Sequence, residues 1–356
     1  MDTRKITRFL KGIAIFFVFL CHSHQTFTLP GALNNVFSFF QVGVQLFMLL
    51  SAMGLCFSYS ESKYTWARFF GKRLSKIVLP YWFAIVIAAV YRVLYAVVMQ
   101  VDALQELNPL GIIINVFLLH GFSGDNIINN TIVRGGWFIG AIVILYALFP
   151  VMYHLYFMKN RRWEKTRMWA FPLCILIVSS IVVLVLGHIF PGHSLIKMFR
   201  QAPAFALGFP LYECQRKNTV LNITFPLVKV LCFAACSIIL YFSNTHISFL
   251  YIFSISVAFF YCVIYILKNQ RIISAINGQS LICRFFCNMG QYSFSIYLTH
   301  SYIAFDFCYV LTAILSRVYH NDLLWFLLLQ PFAIVLSYYV GKCFEIIISH
   351  IKNLGK

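Results

Sequence analysis

The sequence predicts an all-α polytopic membrane protein, and three observations carry that prediction. Of 356 residues, 61% are hydrophobic and only 11% are charged, whereas a soluble domain carries about 25% charged residues. Apolar runs of membrane-spanning length follow one another along the whole chain. Lys and Arg gather in the gaps between those runs instead of forming a basic domain. A net charge of +18 would suggest a nucleic-acid partner in a soluble protein. Here it follows from the basic character of cytoplasmic loops. Aromatic-rich RNA-binding motifs are absent, so no nucleic-acid partner is expected. One integral-membrane domain over 1–356 is the expected organisation.

The runs fall at approximately 9–28, 36–59, 77–99, 109–121, 136–157, 169–190, 198–213, 223–242, 247–267, 287–315 and 323–348. Arg4, Lys5 and Arg8 before the first run imitate a signal peptide. No small-residue cleavage site follows, and His22 with His24 interrupts the run, so an uncleaved first span is expected. The run at 109–121, bounded by Pro109 and Gly121, is too short to cross. Loop charge agrees. If it does not cross, the basic loops at 60–76, 158–168, 216–217 and 268–284 all lie on one side with the N-terminus. The expected topology is about ten transmembrane helices with both termini cytoplasmic, plus a partial or re-entrant helix near 109–121. Eleven scattered cysteines form no CxxC pair or zinc-type cluster, so neither disulfide nor metal is expected.

Polar residues at membrane depth are the candidate functional groups, because placing them there is costly. Lys11 and His22 lie ~16 Å apart along a helix, which puts Lys11 near the inner face and His22 beyond the midplane. His300 reaches a depth of about 20 Å by the same count. Arg92, His120, Arg134, Trp137, His188, Arg200 and Asp306 fall in the outer half or at its edge. Plainer readings stand beside these. His22 could serve only as an interhelical hydrogen-bonding group, and His300 as a satisfied core histidine. His24, about 200° round the helix from His22, reads as a headgroup-facing residue. The basic run from Arg68 to Lys76 reads equally as an ordinary cytoplasmic loop.

Six stretches together carry a family resemblance. RFLKGIAIFFVFLCHSH at 8–24 has a basic residue, ten intervening residues and a histidine, as Lys11 and His22. FSFFQVGVQLFMLLSAMGLCFS at 37–58, WARFFGKRLSKIVLPYW at 66–82 and GGWFIGAIVILYALFP at 135–150 follow. FRQAPAFALGFPLYE at 199–213 and MGQYSFSIYLTHSYI at 289–303 complete the order. The chain resembles the acyltransferase-3 family of integral-membrane acyltransferases, of the polysaccharide O-acyltransferase type without an appended extracytoplasmic domain. The basic position is Lys here, a point charge in place of a guanidinium fork.

The resemblance implies an acyl-CoA donor, acetyl-CoA first among them, and a hydroxyl acceptor on a cell-surface or lipid-linked glycan. It implies no permanently bound cofactor. Lys11, Lys72, Arg73 and Lys76 would then hold the donor phosphates by charge and hydrogen bonds. His22 would act as general base or as a transient acyl carrier. Arg92 or Arg134 would steady the developing oxyanion or orient the acceptor. His300 would support catalysis, with Trp137, Arg200 and Tyr297 lining the acceptor cavity. The expected home is a bacterial cytoplasmic membrane, with a homo-oligomer left open. A transporter or flippase for a lipid-linked glycan is the alternative, and indifference to acyl-CoA would mark it.

Overall fold

The computed structural model describes residues 3–61, 65–99, 109–119, 133, 136–157, 164–190, 194–219, 223–243, 248–278 and 280–354. The regular elements among them are helices, with no strand. In chain order they are α1 (Thr3–Ser23), α2 (Gly31–Phe39), α3 (Gly43–Ser60), α4 (Trp66–Met99) and α5 (Pro109–Val116). Then come α6 (Trp137–Phe157), α7 (Glu164–Ile189), α8 (Ser194–Ala206), α9 (Gly208–Arg216), α10 (Pro226–Phe242) and α11 (Ser248–Lys268). The last are α12 (Gln270–Asn277), α13 (Leu281–Gln291), α14 (Ser293–Ser301), a π-helical turn at Tyr302–Phe307, α15 (Cys308–Leu315) and α16 (Asp322–Leu354).

Eight helical segments among the described residues are long and apolar enough to cross a membrane. The two other expected spans, at 198–213 and 223–242, are shorter or broken helices. Pro226–Phe242 is an apolar helix of 17 residues. The run at 198–213 is divided at Leu207 into α8 and α9. Gly208 marks the break, and a Cβ there would lie 2.6 Å from both Ala52 Cβ and the Leu49 carbonyl oxygen. The protein is therefore an all-α, multi-pass membrane protein. Large side chains on α7 such as Ile177, Ile181 and Leu184 are exposed, which suits a surface that faces lipid rather than water.

The expected partial helix near 109–121 is α5, eight residues long. At about 1.5 Å per residue it covers some 12 Å, well short of a span. Its polar residue is fully accommodated: Asn115 Nδ2 donates to the Gly111 carbonyl, and Tyr81 O–H donates to Asn115 Oδ1 at 2.7 Å. Trp82 Nε1 donates to the Val116 carbonyl, and Leu118 then turns the chain with φ 59. Such internal satisfaction is what non-spanning backbone at this depth requires.

The chain packs as two compact units interleaved in sequence. The first comprises Met1–Phe47, Ile238–His246 and Tyr265–Lys356; the second comprises Met48–Ser237 and Ile247–Ile264. In the first unit α1 is the central helix. It meets α13 through glycines: a Cβ on Gly12 would lie 1.9 Å from the Phe286 carbonyl oxygen, and one on Gly290 would lie 1.7 Å from that of Arg8. Only glycine permits backbones this close, the usual device where helices pack inside a membrane. Phe9 and Phe16 stand edge-on to Phe286 and flank the crossing.

The core of the second unit is aromatic. Phe149 stacks on Phe209 with ring centres 5.6 Å apart, and Tyr156 and Phe171 pack edge-on to each other beside them. At one end Glu213 accepts from Tyr156 O–H at 2.6 Å, from Lys217 at 2.8 Å and from Arg167. This carboxylate joins α6, α7 and α9, and the guanidinium of Arg167 also lies over the Tyr156 ring. Reading 198–213 as an apolar run gave no sign that its terminal glutamate organises three helices; the i, i+4 spacing to Lys217 was the available hint.

Candidate functional site

The first unit brings together the two histidines singled out in the sequence. His22 is on the last turn of α1 and His300 on the last turn of α14, with ring centres 5.1 Å apart. Phe305 closes one side, 5.8 Å from the His22 ring, and the Tyr297 ring lies 5.5 Å from that of His300. α1 is continuous from Thr3 to Ser23, so the ~16 Å axial separation of Lys11 and His22 holds as an unbroken helical segment. Lys11 is half-buried, and the roughly three turns between it and His22 carry buried apolar side chains such as Ala14, Ile15, Val18 and Phe19.

Each imidazole has a defined polar environment. His300 Nδ1 lies 2.6 Å from the Tyr297 carbonyl oxygen. A carbonyl only accepts, so Nδ1 carries the proton, and in the neutral ring Nε2 presents a lone pair. His300 Nε2 and His22 Nδ1 are buried with no hydrogen-bond partner among the described residues. Two ring nitrogens thus stand ready for a third group. His300 is immediately followed, after Ser301, by the π-helical turn, a local rewinding found most often where a helix serves function.

Neighbouring contacts lock the C-terminal end of α1 in place. Ser23 O–H donates to Gln330 Oε1 at 2.8 Å, and Thr26 O–H donates to the Ala304 carbonyl at 2.8 Å. The backbone N–H of Thr28 donates to Asp322 at 2.8 Å. His24 corrects the expectation of a headgroup-facing residue. It is buried, with Nδ1 3.3 Å from the Leu20 carbonyl and Nε2 3.1 Å from Ser38 Oγ. The physical reason is the helix α2, which folds back over α1 and offers both a hydroxyl and the ring of Phe37. No sequence signal paired Ser38 with His24, or Gln330 with Ser23.

Of the other candidates, Asp306 belongs to the first unit, and Lys72, Arg73, Lys76, Arg92, Trp137, His188 and Arg200 belong to the second. Lys72 and Lys76 are exposed on α4, and the Arg73 guanidinium lies 5.4 Å over the ring of Phe69. Arg92 is half-buried near the end of α4. Trp137 is half-buried at the start of α6, edge-on to Phe138. Arg200 lies 6.0 Å from the Phe249 ring centre. Arg134 and His120 lie outside the described residues. Among the described residues no three His, Cys, Asp or Glu side chains gather as a metal site.

Residues 8–342 match a family model described as an acyltransferase domain. The chain belongs to the acyltransferase-3 family. It is accordingly a membrane-embedded O-acyltransferase, and the match extends across both units and through both histidines. Neither a curated protein nor a solved structure matches this acyltransferase.

Proposed function

We propose that this acyltransferase moves an acyl group, acetyl foremost, from cytoplasmic acyl-CoA to a hydroxyl of a cell-surface or lipid-linked glycan, from a bacterial cytoplasmic membrane. The observation that supports this reading is the buried His22–His300 pair, with ring centres 5.1 Å apart and one nitrogen of each without a hydrogen-bond partner among the described residues. His22 takes the proton from the acceptor hydroxyl while its oxygen attacks the thioester carbonyl carbon. The C–S bond then breaks, and the imidazolium returns the proton to the departing thiolate. His300, held in one tautomer by the Tyr297 carbonyl, receives or orients the proton-bearing group beside it.

Lys11 supplies a cation ~16 Å along α1 from His22, on the side from which the donor phosphates enter. Lys72, Arg73 and Lys76 are proposed as donor-phosphate contacts on the charge argument alone. Arg92, Arg134, Trp137, Arg200 and Tyr297 are proposed for acceptor orientation, as the family resemblance implies.

The expected result is direct. Purified protein supplied with radiolabelled acetyl-CoA transfers label to extracted surface glycan, and glycan from cells lacking the protein is lighter by the acyl mass. Glycans of unchanged mass in such cells contradict the acceptor reading. Glycan translocation at an undiminished rate without acyl-CoA supports the flippase instead.

A further inference from the structure

Several buried hydroxyls among the described residues have partners. Ser256 bonds the Ile252 carbonyl, Thr312 that of Cys308, Ser237 that of Tyr251, and Ser295 the carboxylate of Glu345. Ser301, beside His300, and two side chains on α16 behave differently. Ser337 is 0% exposed and its Oγ has no hydrogen-bond partner among the described residues. Gln330 is 7% exposed; its Oε1 accepts from Ser23, while its Nε2 has no such partner. A membrane helix ordinarily folds a serine hydroxyl back onto its own i−4 carbonyl, as Ser256 does. Ser337 does not, and an unanswered hydroxyl in an apolar interior is costly.

The position of these groups is informative. α14 and α16 run antiparallel: Glu345 reaches Ser295 at one end, while Asp322 and Phe326 meet Thr28 and Phe27 at the other. Gly341 sits against Ile296, where an added Cβ would lie 2.5 Å from Cγ1. One turn outward from Ile296 is His300, and one turn outward from Gly341 is Ser337. Gln330 is seven residues before Ser337, hence on the same face, and bonded to the residue that follows His22. Ser337 and Gln330 therefore present two unanswered polar groups along the strip of α16 that passes the histidine pair.

We propose that Ser337 and Gln330 are acceptor-specificity residues that bind hydroxyls neighbouring the one acylated, so that the site selects a polyhydroxylated acceptor; this rests on the acyl-transfer reading above. The carbonyl of the ligand's amide or ring substituents would suit Gln330 Nε2, a donor, and a sugar hydroxyl would suit either group.

Two model acceptors of equal chain length test it with labelled acetyl-CoA: octyl β-D-glucoside and 1-octanol. Wild-type protein is expected to favour the glucoside in kcat/KM. Ser337→Ala is expected to lower the glucoside-to-octanol ratio about fivefold to tenfold, through the KM for glucoside, because one hydrogen bond is lost. Gln330→Met should lower the same ratio and provides the reading if Ser337→Ala does not fold. Ser237→Ala, whose hydroxyl is bonded within the second unit, should leave the ratio alone. A wild-type ratio near unity, or an unchanged ratio in a folded variant at either position, overturns the proposal. Transfer to neither compound by wild-type protein overturns the acyl-transfer reading beneath it.

Discussion

His22→Ala is expected to reduce acyl transfer by at least ~10²-fold while leaving a folded, monodisperse protein. A positioned general base contributes about 10² to 10⁴ in rate, and a nucleophilic histidine would contribute no less. Stability should change little. The ring touches His300 and Phe305, but its Nδ1 bonds nothing among the described residues, so truncation leaves none of their polar groups newly unpaired. Alanine also favours the helix that carries it. The measurement is single-turnover transfer from labelled acetyl-CoA, alongside thermal unfolding of the same preparations. Transfer within twofold of wild type would remove His22 from the chemistry.

Gly12→Ala and Gly290→Ala are expected to have the largest effects on the folded state. The added methyl carbons would lie 1.9 Å from the Phe286 carbonyl oxygen and 1.7 Å from the Arg8 carbonyl oxygen, respectively. Those obstacles are backbone atoms of the facing helix, so no rotamer change relieves them. Helices α1 and α13 must separate, and overpacking of even a flexible core costs about 1–3 kcal/mol. Each variant should therefore unfold well below the wild-type temperature, with transfer lost as α1 shifts His22 away from its partner. Gly54→Ala, with nothing within 4 Å of the added carbon, should be neutral or slightly stabilising. Equal melting temperatures for Gly12→Ala and wild type would contradict the close crossing.

Composition and run length made the helical, membrane-embedded architecture legible, because burial in lipid leaves few alternatives for the backbone. The short helix α5 was legible too, since basic loops on one side require an even count of crossings between them. Interruptions inside spans were not. The break at Leu207 and the π turn at Tyr302–Phe307 depend on which backbone passes Gly208 and on tertiary packing, neither of which has a local signature. The site divides in the same way. His22 and His300 stand out because imidazole at membrane depth needs a reason. Their juxtaposition, 278 residues apart along the chain, is a property of how α1 packs against α14. Ser38, Gln330 and Ser337 escaped notice because small polar residues are common in membrane helices and acquire meaning only from their neighbours.

A double-mutant cycle on His22 and His300 tests the paired histidines most directly. Groups that act as one catalytic unit are strongly non-additive, so that removing the second after the first costs little. With kcat/KM for acyl transfer measured in His22→Ala, His300→Ala and the double variant, the expected result is a double variant about as slow as His22→Ala alone. Rate losses that multiply across the two sites would show that the histidines act independently, and would contradict a single site built from both.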